Sequence, residues 1–161
     1  SSIYELHFMN NQTNLINGLN TSQILVGLDL GTKTIGVSVS DTLKIIASPL
    51  TTIKRKGIKK DLSKLKEVLN DYKIGGFVLG LPISLNNTEN VQSQLVRNFN
   101  DELIIFFKIP TVFWDERFSS DIIFKELRKS QMSKTKIKKK LDQQSAAYIL
   151  QGYLDRYRNN I

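Results

Sequence analysis

Ile24-Leu25-Val26-Gly27-Leu28-Asp29-Leu30-Gly31, followed after Thr32-Lys33 by Thr34-Ile35-Gly36-Val37-Ser38-Val39-Ser40-Asp41, decides how this chain is read. Two β-type runs this close together form a hairpin, with Gly31 and Gly36 relieving the backbone where the chain reverses. The first run carries one carboxylate, Asp29. A charge inside an apolar strand is costly to bury unless it is paired or coordinates a metal. Taken alone, Asp29 reads as readily as a solvated acid at a hairpin end. Partner acids further along the chain shift the balance.

Downstream of the hairpin the pattern predicts helices and strands in turn. Strands are expected at Ile24–Asp29, Ile35–Ser40 and Ile45–Ile53, the third an edge or bulged strand because of Pro49. Ile58, Leu62, Leu65, Leu69 and Tyr72 recur at helical spacing, and Gly75-Gly76 is expected to end that helix. Phe77 to Leu81 is wholly apolar and suits a parallel strand covered on both faces. Pro82 to Thr88 reads as a polar loop, and Val91, Leu95, Phe99 and Leu103 as one face of a second helix. A strand over Thr111–Asp115 follows, then a short helix capped by Ser119 or Ser120. Lys134 to Lys140 reads as a lysine-dense loop, and Leu141 to about Arg158 as the last helix. Right-handed crossovers bring the two later strands beside the first. The expected fold is α/β, a mixed five-stranded sheet of order 3-2-1-4-5 flanked by helices, over residues 24–158. Residues 1–23, rich in Asn, are expected to form a loosely ordered tail without the marks of a secretion or transit signal.

Composition narrows the chemistry. The 161 residues suffice for one domain with a proper core. No apolar run approaches the roughly 20 residues of a membrane helix. There is no cysteine and one histidine, His7, so thiolate and Ser-His catalysis and Cys- or His-based metal sites are set aside. Carboxylates, lysines, hydroxyls and bound metal remain. The formal charge of +8 suits a polyanionic partner. A chain rich in Asn, Lys and Ile could also carry those lysines through coding bias alone.

Two further acids stand out. In the last helix Ala146, Ile149, Leu150, Tyr153, Leu154 and Tyr157 form an apolar stripe, and four residues before Ala146 lies Asp142, on the same side. Its ordinary alternative is an acid favoured by the helix dipole. Asp115-Glu116-Arg117 leaves an apolar strand at the end of the sheet where Asp29 lies, or is a plain surface ion pair. Oxygen-only ligands from these elements suit Mg²⁺ or Mn²⁺. Two such ions about 4 Å apart activate water and stabilise the leaving oxygen of a phosphodiester.

Gly27 to Asp41, Ser48-Pro49-Leu50, Gly80-Leu81-Pro82, Asp115-Glu116-Arg117-Phe118-Ser119-Ser120 and Leu141-Asp142-Gln143-Gln144-Ser145-Ala146-Ala147 with Ile149-Leu150-Gln151 resemble, in order, the YqgF family. Its members are bacterial proteins described as pre-16S rRNA nucleases and earlier as Holliday-junction resolvases. The resemblance spans residue 24 to about 157. It implies an RNase H-like fold and metal-dependent cleavage of nucleic acid in the cytoplasm, during maturation of small-subunit rRNA. It makes Asp29 the first-strand acid, Glu116 the acid of the D-E-R motif and Asp142 the last-helix acid, with Asp115 auxiliary. Lys33, Arg117, Lys134, Lys136, Lys138, Lys139 and Lys140 are the expected nucleic-acid contacts. The expected partners are structured precursor rRNA or branched DNA and pre-ribosomal particles, with the chain a monomer or weak homodimer. Thr34 stands where the family commonly has Arg, and Asn86-Asn87 where it has Asp-Gly.

Two other classes compete. A sugar-kinase or Hsp70-like phosphate-binding module needs a second Asp-x-Gly lobe, which this chain lacks. A non-catalytic RNA-binding assembly factor would show the same charge but tolerate loss of Asp29.

Overall fold

The computed structural model describes residues 14–82, 90–115, 129 and 133–158, apart from the side chains of 134, 135 and 137–143. Five strands, β1 (Ile24–Leu30), β2 (Thr34–Ser40), β3 (Ala47–Lys54), β4 (Ile74–Leu81) and β5 (Thr111–Asp115), form one sheet of order β3-β2-β1-β4-β5. β1 pairs antiparallel with β2 and parallel with β4, β2 antiparallel with β3, and β4 parallel with β5. This is the mixed sheet expected, with β1 at its centre. Pro49 falls where the β2–β3 register shifts, and Leu50 is the extra residue on the edge strand. Neither Gly31 nor Gly36 has a positive φ; among the described glycines only Gly57 does. Gly36 lies within β2, opposite Asp29.

Strand alternation separates two cores. Val26, Leu28, Ile35, Val37, Phe77, Leu79 and Phe113 face helices α1 (Ile58–Val68) and α2 (Val91–Phe107). Leu25, Val78 and Val112 face helix α3 (Lys134–Arg158), which presents Ile149, Leu150, Tyr153 and Leu154. The expected stripe on the last helix is the observed one. On α2 the phase differs: Val91 and Leu95 are exposed, and Val96, Phe99 and Leu103 are buried. The helix starts at a capping box between Asn90 and Ser93, which sets Val91 on the outer side.

Gly75 and Gly76 do not end α1, which stops at Val68; they open β4. A side chain at Gly75 would collide with Leu19, and a Cβ at Gly76 would lie 2.6 Å from Leu15 Cδ1. The glycine pair is a seat for the segment before β1. The expectation of a loose tail therefore fails for its last residues. Leu15 and Ile16 are buried, and Lys44 Nζ donates to Asn20 O at 2.6 Å. Burial lowers the Lys44 pKa, with Asp41 pulling it back up. Residues 1–13 lie outside the described ones.

Tyr153 fastens the same segment, its hydroxyl oxygen accepting the Leu15 N–H at 2.9 Å. Burial raises the phenol pKa, partly offset by this bond. Tyr153→Phe leaves that buried N–H without an acceptor, at a cost of about 1–3 kcal/mol. The melting temperature should fall by about 2–4 °C per kcal/mol. An unfolded tyrosine ionises near 10, and the folded phenol stays protonated above that. The native state then binds more protons than the unfolded one, so stability falls as pH rises past about 10. Tyr153→Phe should lose this part of the alkaline fall, as read by urea unfolding at pH 8 and above 10.

Lys134 to Lys140 is not a loop but the opening of α3. Ser133 Oγ accepts the Lys136 N–H at 3.3 Å, an N-cap, and the lysines that follow are good helix formers with no Gly or Pro among them. Among the described residues no helix is long and apolar enough to cross a membrane.

Candidate active site

Asp29 stands one residue before the carboxyl end of β1, on the face covered by α3. Its neighbours on that face are small. Gly27 and Ser38 pair across β1 and β2, as do Asp29 and Gly36. A Cβ at Gly27 would lie 2.7 Å from Leu150 Cβ and 2.8 Å from Ala146 O, so the helix backbone rests almost on the strand. Ser38 Oγ donates to Ala146 O at 2.7 Å and fixes the contact. This close approach brings Ser145, the residue before Ala146, over Asp29, and its Oγ donates a hydrogen bond to Asp29 Oδ2.

Asp29 is half-buried, and no Lys or Arg among the described residues pairs with it. Ser145 is the one described donor to its carboxylate. A partly desolvated charge without a cation is the setting in which a metal ligand is found. The donors at hand are oxygens, the ligand type that magnesium and manganese prefer.

The turn after Asp29 is held from three sides. Gly31 N–H donates to Thr34 O at 2.8 Å. Gln92 Nε2 donates to Leu30 O at 3.2 Å, and Arg55 Nη1 to Gly31 O at 3.0 Å. Arg55 in turn pairs with Asp61 through Nε at 3.0 Å, and its guanidinium lies 5.6 Å from the Phe99 ring centre. Asp61 is buried and also accepts the Lys56 N–H at 2.8 Å. The chain thus locks the backbone beside Asp29 to β3, α1 and α2.

The other expected residues divide by position. Asp142 lies in α3 three residues before Ser145, on the side of the sheet that carries Asp29; its side chain is outside the described ones. Glu116 and Arg117 are outside the described residues, as is the short helix expected after Ser119 or Ser120. Asp115 shares the parity of Phe113, on the α2 face, whereas Val112 and Trp114 share the face of Asp29. Lys33 is exposed in the β1–β2 turn, and Lys136 is exposed in the first turn of α3. Lys134, Lys138, Lys139 and Lys140 are placed by backbone alone, along the first two turns of that helix. Among the described residues no three acids or histidines meet.

Sequence reasoning missed Ser145, Arg55, Asp61 and Gln92. Ser145 had a signal, a small polar residue one turn after Asp142 on the packing stripe. The Arg55–Asp61 pair had none, because its role depends on the meeting of β3, α1 and the turn at Gly31.

The strand order, the hairpin acid and the helix laid across it define a mixed α/β domain with one described carboxylate, Asp29, near the end of its central strand. The chain belongs to the RuvX (YqgF) family, whose model, described as "Holliday junction resolvase", matches residues 23–156. It is 43% identical to the "Putative pre-16S rRNA nuclease" of Clostridium kluyveri over 132 residues, covering 82% of this chain and 96% of that protein. It is 42% identical to the protein of the same name from Thermoanaerobacter pseudethanolicus, covering 84% of this chain and 98% of that one. Among solved structures, T. thermophilus RuvC in complex with a Holliday junction substrate aligns with a TM-score of 0.46 at 11% identity, over 63% of this chain and 69% of that chain.

Proposed function

We propose that this chain is a metal-dependent nuclease that hydrolyses phosphodiester bonds in the 5′-end processing of precursor 16S rRNA, in the cytoplasm and on pre-ribosomal particles. The observation that carries this is Asp29, a half-buried carboxylate without a described cation, oriented by Ser145 one turn from Asp142. The family membership points the same way.

In this reading Asp29, Glu116 and Asp142 hold Mg²⁺ or Mn²⁺. Glu116 is taken as the second acid, because Asp115 falls with Phe113 on the α2 face of β5, away from Asp29. A bound divalent ion supplies a Lewis acid and an activated water. Ser145 fixes the rotamer of Asp29, and the bonds to Leu30 O and Gly31 O keep its backbone from shifting. Lys33, Arg117 and the lysines that open α3 would contact the phosphate backbone.

A second reading has its own support in the description of the matching family model, cleavage of a four-way DNA junction. The two are separated by offering purified protein with Mn²⁺ a structured precursor rRNA leader and a four-way junction. Cleavage of the RNA that stops with EDTA is the expected result. Cleavage of the junction alone supports the resolvase reading, and cleavage of neither overturns nuclease function and leaves an RNA-binding factor.

A further inference from the structure

On the face of the sheet opposite α3, a groove of about 660 Å³ opens between β3 and the outer side of α1. Its walls carry Lys54, Lys56, Lys59, Lys60 and Lys64, all exposed, against two acids. Asp61 is committed to Arg55 at 3.0 Å, and Glu67 sits 3.4 Å from Lys64. Lys54, Lys56, Lys59 and Lys60 pair with no acid among the described residues. Lys59 and Lys60 also occupy the first turn of α1, the positive end of its dipole, where cations are disfavoured.

A solvated surface spreads such charges apart. Here they line one concavity, and they continue to the candidate active site. Lys54 pairs across the sheet with Thr34, and Arg55 N–H donates to Lys33 O at 2.9 Å, beside the turn that follows Asp29. From Lys33 the row runs through Lys54 and Lys56 to Lys60 and Lys64, which lie four apart on one side of α1.

We infer that this groove is a second nucleic-acid contact, holding the phosphate backbone of a substrate arm that flanks the bond cut at Asp29. The inference rests on the nuclease reading for the identity of its polyanion. A backbone laid along the row would neutralise the clustered lysines and release its own counterions. The contact is remote from the reacting atoms, so it sets affinity and the length of arm preferred, and leaves the chemical step alone.

The test compares wild-type protein with the triple variant Lys56→Gln/Lys59→Gln/Lys60→Gln and a control of equal charge, Lys66→Gln/Lys73→Gln/Lys108→Gln. Binding to a short-armed and a long-armed structured RNA is measured across a salt series with divalent metal withheld. For the long-armed RNA the groove variant should lose about tenfold or more in affinity, and its salt slope should fall by about 0.7–0.9 per phosphate contact removed. The short-armed RNA should bind groove variant and wild type alike, and kcat at saturation should be unchanged. Equal affinity and slope for the long-armed RNA, or an equal loss in the control, overturns the groove while the nuclease reading stands. Wild-type protein that binds neither RNA overturns the groove and the RNA-processing reading alike.

Discussion

Asp29→Asn should abolish cleavage while leaving the fold intact. The amide keeps the shape of the side chain and an oxygen that can accept from Ser145, so stability should change by about 1 kcal/mol, the net worth of a typical hydrogen bond. What is lost is the negative charge that would hold a cation. Transition-state stabilisation by a bound metal is worth several kcal/mol, and each 1.36 kcal/mol is tenfold in rate. A fall of about a thousandfold or more in kcat is expected, with unfolding curves nearly superimposed. Cleavage at the wild-type rate would place the chemistry elsewhere. Unchanged RNA binding in this variant would separate recognition from reaction.

Arg55→Met should be the most destabilising of these changes. It leaves the Asp61 carboxylate, 1% exposed, with the Lys56 N–H as its remaining partner. Removing one member of a buried ion pair costs about 3–5 kcal/mol, because the other charge stays behind. Guanidinium denaturation should show that loss. The double variant Arg55→Met/Asp61→Leu removes both charges and should recover much of it, as apolar replacements of buried pairs do. The Gly31 carbonyl remains unanchored in both variants. A double variant with restored stability and a reduced kcat would show that Arg55 positions the turn beside Asp29. Restored stability with full activity would reduce it to a structural clamp, and a single variant within about 1 kcal/mol of wild type would contradict the buried-pair account.

The sheet was legible in the sequence because its signals are local. A hairpin announces itself in adjacent runs, Pro49 marks an edge, and the apolar run ending at Leu81 suits a strand covered on both faces. The errors arose where a residue answers to a distant neighbour. Gly75 and Gly76 look like a helix stop, yet their lack of side chains makes room for Leu15 and Leu19, more than fifty residues earlier. The α2 face was read from Val91 and Leu95, whereas the Asn90 cap turned those two outward. The lysine run looked like a loop by charge, although Ser133 and the absence of Gly or Pro suit a helix start.

The candidate site divides in the same way. Asp29 was legible as a charge in an apolar strand, whereas the Asp142 side chain lies outside the described ones. Ser145 is 116 residues from the carboxylate it holds, and periodicity says nothing about such a pairing. The choice between Asp115 and Glu116 was open in the sequence. Asp115 falls with Phe113 on the α2 face of β5, and Glu116 lies outside the described residues.

The convergence of Asp29, Glu116 and Asp142 on one ion is the central claim, and crystals grown with Mn²⁺ test it most directly through the metal's anomalous scattering. The account predicts a peak within ligand distance of Asp29, at about 2.0–2.6 Å for oxygen ligands of divalent cations, with the Glu116 and Asp142 carboxylates also coordinating, and its loss in Asp29→Asn. A manganese site away from Asp29, or an Asp142 side chain directed away from the ion, would contradict it.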